Sequence, residues 1–283
     1  MKTLSRLSAG AALALGALIL HPERIAAQAT VSLPVPPATA DSTASNPRAV
    51  QPEHQTVATH AGNVAPGYVE IESGIERDCV SADARATQVP TVIKIGIAQR
   101  AQLSIGVPLN GATGSALGLG DVSVVVKWRV LDHAPIVRDF AVQPALKFNT
   151  GGTRGTGTTD ASVLLISSRS LGAVDVDVNA GVTRRSGDGT LAPRTATLWA
   201  AAAATMVHGA LSFAFELCGY PGTSGVAGSA PIVAVLLGPT YPVRPELNLD
   251  IGIIEPIAGA QSRAIYAGVV ANVGGLPFVK RTR

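Results

Sequence analysis

A period-two alternation of apolar and polar residues most limits what this chain can fold into. It is carried in stretches of about ten residues from about residue 66 onward. Val122, Val124, Val126, Trp128 and Val130 alternate with Asp121, Ser123, Val125, Lys127 and Arg129. Phe140, Val142, Pro144, Leu146 and Phe148 alternate with Ala141, Gln143, Ala145, Lys147 and Asn149. Val174, Val176, Val178, Ala180 and Val182 alternate with Asp175, Asp177, Asn179, Gly181 and Thr183, and Leu247, Leu249, Ile251 and Ile253 alternate with Asn248, Asp250 and Gly252. Such stretches are strands with two chemically different faces. In a soluble sandwich they run to ~5–6 residues; ~10 residues is what a tilted strand needs to cross a bilayer. Pro144 removes a ladder hydrogen bond and implies a bulge or irregularity there.

Composition points the same way. Apolar residues make up 47% of the chain and charged residues only 14%, against ~25% charged in ordinary globular domains. Part of the surface must face something other than water. After the N-terminus no run reaches ~18 consecutive apolar residues, so helices do not span. A membrane sheet does so without long apolar runs, because only alternate residues meet lipid. One feature runs against a barrel: aromatics are only 4%, fewer than interfacial girdles usually supply, with Trp128, Phe140, Tyr241 and Phe278 as a thin girdle at the periplasmic rim and only Tyr220 and Tyr266 at the outer one.

Twelve strands are expected, starting near Tyr68, Val89, Ala101, Gly120, Asp139, Asp160, Leu171, Arg194, Gly209, Ser229, Glu246 and Arg263. Connections alternate between tight (99–100, 168–172, 207–209) and long and Gly/Thr-rich (110–118, 150–159, 184–193, 219–228). Short periplasmic turns and long external loops are the asymmetry of bacterial barrels. The expected fold is all-β: an antiparallel transmembrane β-barrel of about 12 strands, bacterial outer-membrane type. It occupies residues 66–278, followed by a short basic tail at 279–283.

Residues 1–29 read as a secretory signal: Lys2 and Arg6, then the apolar AALALGALIL, then Ala27-Gln28-Ala29, with cleavage near Ala29. Removing Lys2, Arg6, Arg24 and Glu23 takes the formal charge from +3 to +1. The basic balance therefore does not argue for nucleic acid, and no basic patch is interleaved with aromatics. Residues 30–65, rich in Pro, Ala, Ser and Thr, are expected to form a flexible periplasmic segment, since they cannot bury enough apolar surface to offset ordering.

The chemistry-bearing residues are those that alternation turns inward: Glu70, Glu72, Glu76, Lys94, Asp121, Lys127, Arg129, Lys147, Asp175, Asp177, Glu216 and Asp250. Charge facing mid-bilayer lipid costs ~2–4 kcal/mol for Arg or Lys, so these groups point into the lumen. They either line a wet path and set its selectivity or pair across a narrow lumen and fill it. Asp175-Val176-Asp177-Val178-Asn179 lacks the glycine and distal glutamate of a calcium loop. The Gly-rich 151–157 lacks a following lysine and reads as an external loop. Cys79 and Cys218 are the only cysteines; both fall toward the outer side, which permits a disulfide. No metal-ligand spacing and no cofactor motif is present. His133 and His208 fall in short turns, and His54 and His60 in the N-terminal segment. No histidine therefore stands where an outer-leaflet hydrolase needs one, and no catalytic residue is assigned.

Several passages resemble one family. They are Arg100-Ala101-Gln102-Leu103-Ser104-Ile105-Gly106-Val107-Pro108 with Gly118-Leu119-Gly120-Asp121-Val122-Ser123, then Leu146-Lys147-Phe148-Asn149-Thr150-Gly151, the loop at 157–160, Phe215-Glu216, and Leu247-Asn248-Leu249-Asp250-Ile251-Gly252. Their order and spacing are similar to those of outer-membrane proteins linked to meta-pathway phenol degradation and labelled transporters, over residues 68–276. Asn149 stands where proline is common, and the chain continues past Phe278, where barrels of this class often end on an aromatic. The resemblance implies a barrel in the bacterial outer membrane that passes small, aromatic or hydrophobic compounds, without catalytic residues or cofactor. Its implied partners are membrane lipid, small-molecule solutes and the outer-membrane assembly machinery. The competing readings are a structural barrel with a filled lumen and a secreted soluble β-sandwich adhesin, with an outer-membrane hydrolase last.

Overall fold

The computed structural model describes residues 46–53, 57–80, 84–187, 193–224, 230–259 and 262–276. The signal, its cleavage site, the basic tail and Phe278 lie outside the described residues. The strands are β1 (Tyr68–Cys79), β2 (Arg85–Val89), β3 (Thr91–Ala98), β4 (Ala101–Gly106), β5 (Leu109–Ala112), β6 (Gly118–Leu119), β7 (Ser123–Ala134) and β8 (Arg138–Lys147). They continue with β9 (Asp160–Leu171), β10 (Val174–Arg185), β11 (Thr195–His208), β12 (Leu211–Ser224), β13 (Ala230–Arg244), β14 (Leu247–Ala258) and β15 (Arg263–Gly275).

These fifteen pieces make twelve barrel staves. β2 and β3 are one stave interrupted at Pro90. β3 pairs with the lower half of β1 (Glu70↔Lys94) and β2 with the upper half (Glu76↔Gln88). β4 and β5 are one stave interrupted at Val107-Pro108, and β6 and β7 one interrupted over residues 120–122. Proline has no N–H to give the ladder, so two of the three breaks fall at prolines. All neighbours are antiparallel, and β1 closes on β15 from Tyr68↔Gly275 to Cys79↔Arg263. Closure leaves no sheet edge for lipid to meet. The β7–β8 ladder omits Val126 and Lys127 opposite Pro144 and Gln143, then resumes in the same register at Trp128↔Val142. Pro144 thus interrupts the ladder without inserting a residue.

Every stave shows the alternation. Outward side chains such as Trp128 (58% exposed), Val178 (50%) and Ile251 (59%) present apolar surface, while Glu70, Glu72, Lys94 and Lys127 are fully buried inside. Tyr220 and Tyr266 correct the girdle expectation. Both have inward parity: Tyr266 is 4% exposed and Tyr220 lines the lumen cavity. Tyr266 lies across the wall where Gly238 and Gly252 leave room; a Cβ at Gly252 would stand 2.2 Å from the Tyr266 hydroxyl. The aromatics at the long-loop rim are instead Phe148 (40% exposed) and Trp199, whose ring covers Gly219.

The cysteines are free. Cys79 is exposed on β1 and Cys218 buried on β12, with β13, β14 and β15 between them. Opposite faces and three intervening strands rule out the bridge.

The N-terminal segment departs furthest from expectation. Residues 50–53 and 57–65 do not lie outside the barrel; they run through its lumen. Gln51, Ala58, Thr59, Ala61, Asn63 and Val64 are all at most 4% exposed. The sequence criterion asks whether a segment can bury apolar surface of its own. Here a preformed polar wall supplies hydrogen bonds in place of water, so low hydrophobicity does not preclude order.

Candidate lumen site

The plug enters at the tight-turn end, where Val50 N–H donates to the Pro245 carbonyl between β13 and β14 at 2.9 Å. It then travels round the inner wall, and side chains of the staves accept its backbone N–H groups in turn. Gln51 N donates to Glu70 Oε2 (2.8 Å) and Glu53 N to Glu72 Oε1 (2.6 Å), both on β1. Val57 N and Ala58 N donate to the two oxygens of Glu216 on β12, at 2.9 and 3.1 Å. Asn179 on β10 accepts from Thr59 N (2.6 Å) and donates to Thr59 O (2.9 Å). Ala61 N donates to Ser168 Oγ on β9 and Val64 N to Gln102 Oε1 on β4. The chain leaves through Pro66 and Gly67, bridged to Gly96 on β3, into β1. Carboxylate acceptors make the strongest of these bonds.

An ion network locks the first turn of the plug. The register sets Glu70 directly opposite Lys94. Lys94 Nζ lies 2.6 Å from Glu70, 2.5 Å from Glu72 and 3.8 Å from Glu53. Lys127 on β7 pairs with Glu53 and donates to the His60 carbonyl at 3.0 Å. Gln102 also donates to Glu53, at 3.1 Å. Glu53 is therefore the plug's own charged contribution to the wall. Burial pushes its pKa up, but Lys127 and Lys94 pull harder, leaving it at about 2. Burial also lowers His60, with Lys127 adding to the effect, to about 3, so that it is neutral at pH 7. Its Nδ1 accepts from Gly62 N at 2.9 Å, which puts the proton on Nε2.

The remaining inward residues fall elsewhere. Asp250 (8% exposed) and Glu76 (7%) are buried on β14 and β1. Asp177 and Asp175 accept from Ser168 and Ser170 across the β9–β10 ladder. Asp121 and Lys147 belong to a cluster at the long-loop rim. Lys147 Nζ is 3.2 Å from both Asp121 and Asp160, and Asp121 accepts from Gly151 N and Thr156 N, tying down the 148–159 loop. Arg129 pairs with Asp132 at 2.8 Å toward the tight-turn end of β7. Sequence reading missed Gln102, Ser168 and Asn179, although the same parity applied to uncharged polar residues finds them. It also missed Glu53, which no local pattern signals. His60 turns out to lie in the plug, His54 is outside the described residues, and His133 and His208 sit at tight turns. Among the described residues no cluster of His, Cys, Asp and Glu is arranged for a metal.

Above the plug, toward the long loops, lies a cavity of about 210 Å³. Its walls come from β1, β3, β4 and β7 to β12, and its floor from Glu53, Val57 and Thr59 of the plug.

No protein-family description and no curated protein matches the chain. Solved structures do match its fold. An outer membrane channel from Pseudomonas putida F1 superposes with a TM-score of 0.57 at 12% identity, covering 73% of this chain and 96% of that one. The KdgM porin superposes at 0.50 with 11% identity over 71% and 98% of the two chains. The same porin in complex with disordered oligogalacturonate gives the same values. The chain thus shares the closed antiparallel barrel of outer-membrane channels.

Proposed function

We propose that this protein is an outer-membrane channel that lets small, apolar or aromatic molecules cross by passive diffusion, and that the described state is closed by the chain's own N-terminal segment. The long loops then face outward and the tight turns face the periplasm, where the plug enters. One observation carries the reading: the lumen obstruction is held without a covalent link, by hydrogen bonds from wall side chains to plug backbone and by one ion network, with only the small side chains of Val57, Ala58 and Ala61 packed into apolar clusters of the wall. An obstruction held that way can be exchanged for water. The fold likeness to channels is consistent with this, and the phenol-degradation resemblance motivates the solute class. A filled structural barrel is the second reading, favoured by the saturation of Lys94 and Lys127 with carboxylates.

Planar-bilayer recordings separate the two. The full chain should conduct weakly and intermittently. Deletion of 46–65 should leave a barrel whose gel migration still shifts on boiling, with conductance raised at least several-fold. A deletion barrel that folds yet carries no current sinks the channel reading and leaves the filled barrel. Uptake of labelled benzyl alcohol into proteoliposomes, against a sugar of similar mass, tests the solute class.

A further inference from the structure

We propose that the outward face at the long-loop end of β1, β2 and β15 is a docking surface for a multiply phosphorylated glycolipid of the outer leaflet. Strand register assembles it. Cys79 on β1 lies directly opposite Arg263 on β15 and Arg85 on β2, and residues paired in that way share a face of the sheet. Arg77, two residues before Cys79, lies on the same face opposite Ile265 and Thr87. The intervening Asp78 and the preceding Glu76 are buried toward the lumen, so the arginines turn outward. Three arginines thus flank one exposed thiol.

Depth places them at the headgroups. Ile71 and Ile75 on β1 and Ile265, Val269 and Val273 on β15 form an exposed apolar band, and the arginines begin where it ends. Arginine is costly at the bilayer midplane and nearly free of cost at the interface. Interfacial anchoring alone does not account for their distribution. At the tight-turn ends of the same staves the outward positions are apolar: Val69, Ile97 and Val273. On β8, β9 and β10 the outward positions near the long loops are Leu146, Val163 and Val182, with Arg184 beyond them.

Charge balance leaves the patch positive. Glu255 on β14 holds Arg263 through Nε at 2.5 Å and Nη2 at 2.7 Å, which leaves Nη1 to donate elsewhere. The Arg77 side chain pairs with no carboxylate among the described residues. Guanidinium groups match phosphate oxygens in pairs, and basic clusters at a membrane surface take anionic headgroups. Arg85 and Arg263 stand two strand spacings apart, ~10 Å, wider than one phosphate, so the headgroup that fits carries more than one. The choice of leaflet rests on the orientation proposed above; the surface itself is independent of the channel reading.

The test is native mass spectrometry of the full chain in nonionic detergent with diphosphoryl lipid A, phosphatidylglycerol and inorganic phosphate. The chain should retain lipid A and hold phosphatidylglycerol at least about tenfold more weakly, and inorganic phosphate should not displace the lipid A. Arg77→Gln, Arg85→Gln and Arg263→Gln together should weaken lipid A by at least about tenfold, while Arg184→Gln at the same rim should leave it unchanged. Maleimide gives a second readout, because Cys79 is exposed and Cys218 buried. Lipid A should slow labelling of the unsubstituted protein several-fold and leave the rate of the triple variant as it was. Heat-modifiable migration checks that each variant folds. Equal retention of phosphatidylglycerol, or an equal loss through Arg184→Gln, shows a general affinity of rim cations for anionic lipid and overturns the assignment. Unchanged binding by the triple variant, or bound lipid A that does not slow Cys79, overturns it too. No lipid A binding alongside normal conductance sinks this surface and spares the channel. Lipid A binding without conductance even after deletion of 46–65 does the reverse.

Discussion

At the scale of single residues, Lys127 and Glu53 decide whether the plug stays. Removing one partner of a buried ion pair costs about 3–5 kcal/mol, because the other charge remains unpaired. Lys127→Met should therefore expel the segment and raise channel open time, and Glu53→Gln combined with Lys127→Met should restore much of the closed state. Bilayer recordings on the single and double variants check this. Titration acts on the same contact. His60 is held at about 3 in the plug against an ordinary 6.5, and Glu53 at about 2 against 4.5. Both folded-state values are depressed, so both groups favour docking above their ordinary values, and the stabilisation fades as pH falls toward the depressed ones. Open probability should rise as pH drops below about 6.5 through His60, and more steeply below about 4.5 through Glu53. His60→Gln should remove the first part only, and a flat profile from pH 7 to 4 would refute the linkage. The inward charges were legible one by one from strand parity. Glu53 was not, since its partners lie 41 and 74 positions away at Lys94 and Lys127.

At the scale of elements, the staves were legible and their interruptions were not. Expected starts at Tyr68, Ala101, Asp160 and Arg263 coincide with observed ones, because alternation and turn residues are local signals. Two of the three divided staves break at Pro90 and Pro108, whose effect depends on which neighbour their missing N–H would have faced. The plug's exit shows a similar dependence on neighbours. A Cβ on Gly96 would sit 2.1 Å from the Ala65 carbonyl oxygen and 2.4 Å from that of Val64. Gly96→Ala should loosen the plug at its root by about 1–3 kcal/mol, the usual cost of overpacking. The side chain points inward, so the barrel itself should survive. The expected outcome is faster labelling of a cysteine placed at Val64, with unchanged heat-modifiable migration; unchanged labelling would show that the root yields without moving.

At the scale of the whole molecule, the chain is a sheet closed between two solvents. Val178→Arg, halfway along the outward face of β10, should destabilise the barrel by about 2–4 kcal/mol in lipid vesicles, measured by urea unfolding. In a water-exposed sheet the same change would stay within about 0.5 kcal/mol. By itself the sequence determined the strand period, the stave number and which side chains face each way, because a strand's two faces follow from the positions of neighbouring residues. Only the tertiary structure decided that residues 50–53 and 57–65 lie inside. Their order comes from acceptors on β1, β4, β9, β10 and β12 that converge only once the barrel has closed, and no local pattern in a polar, proline-rich stretch can register a wall that its own residues do not build.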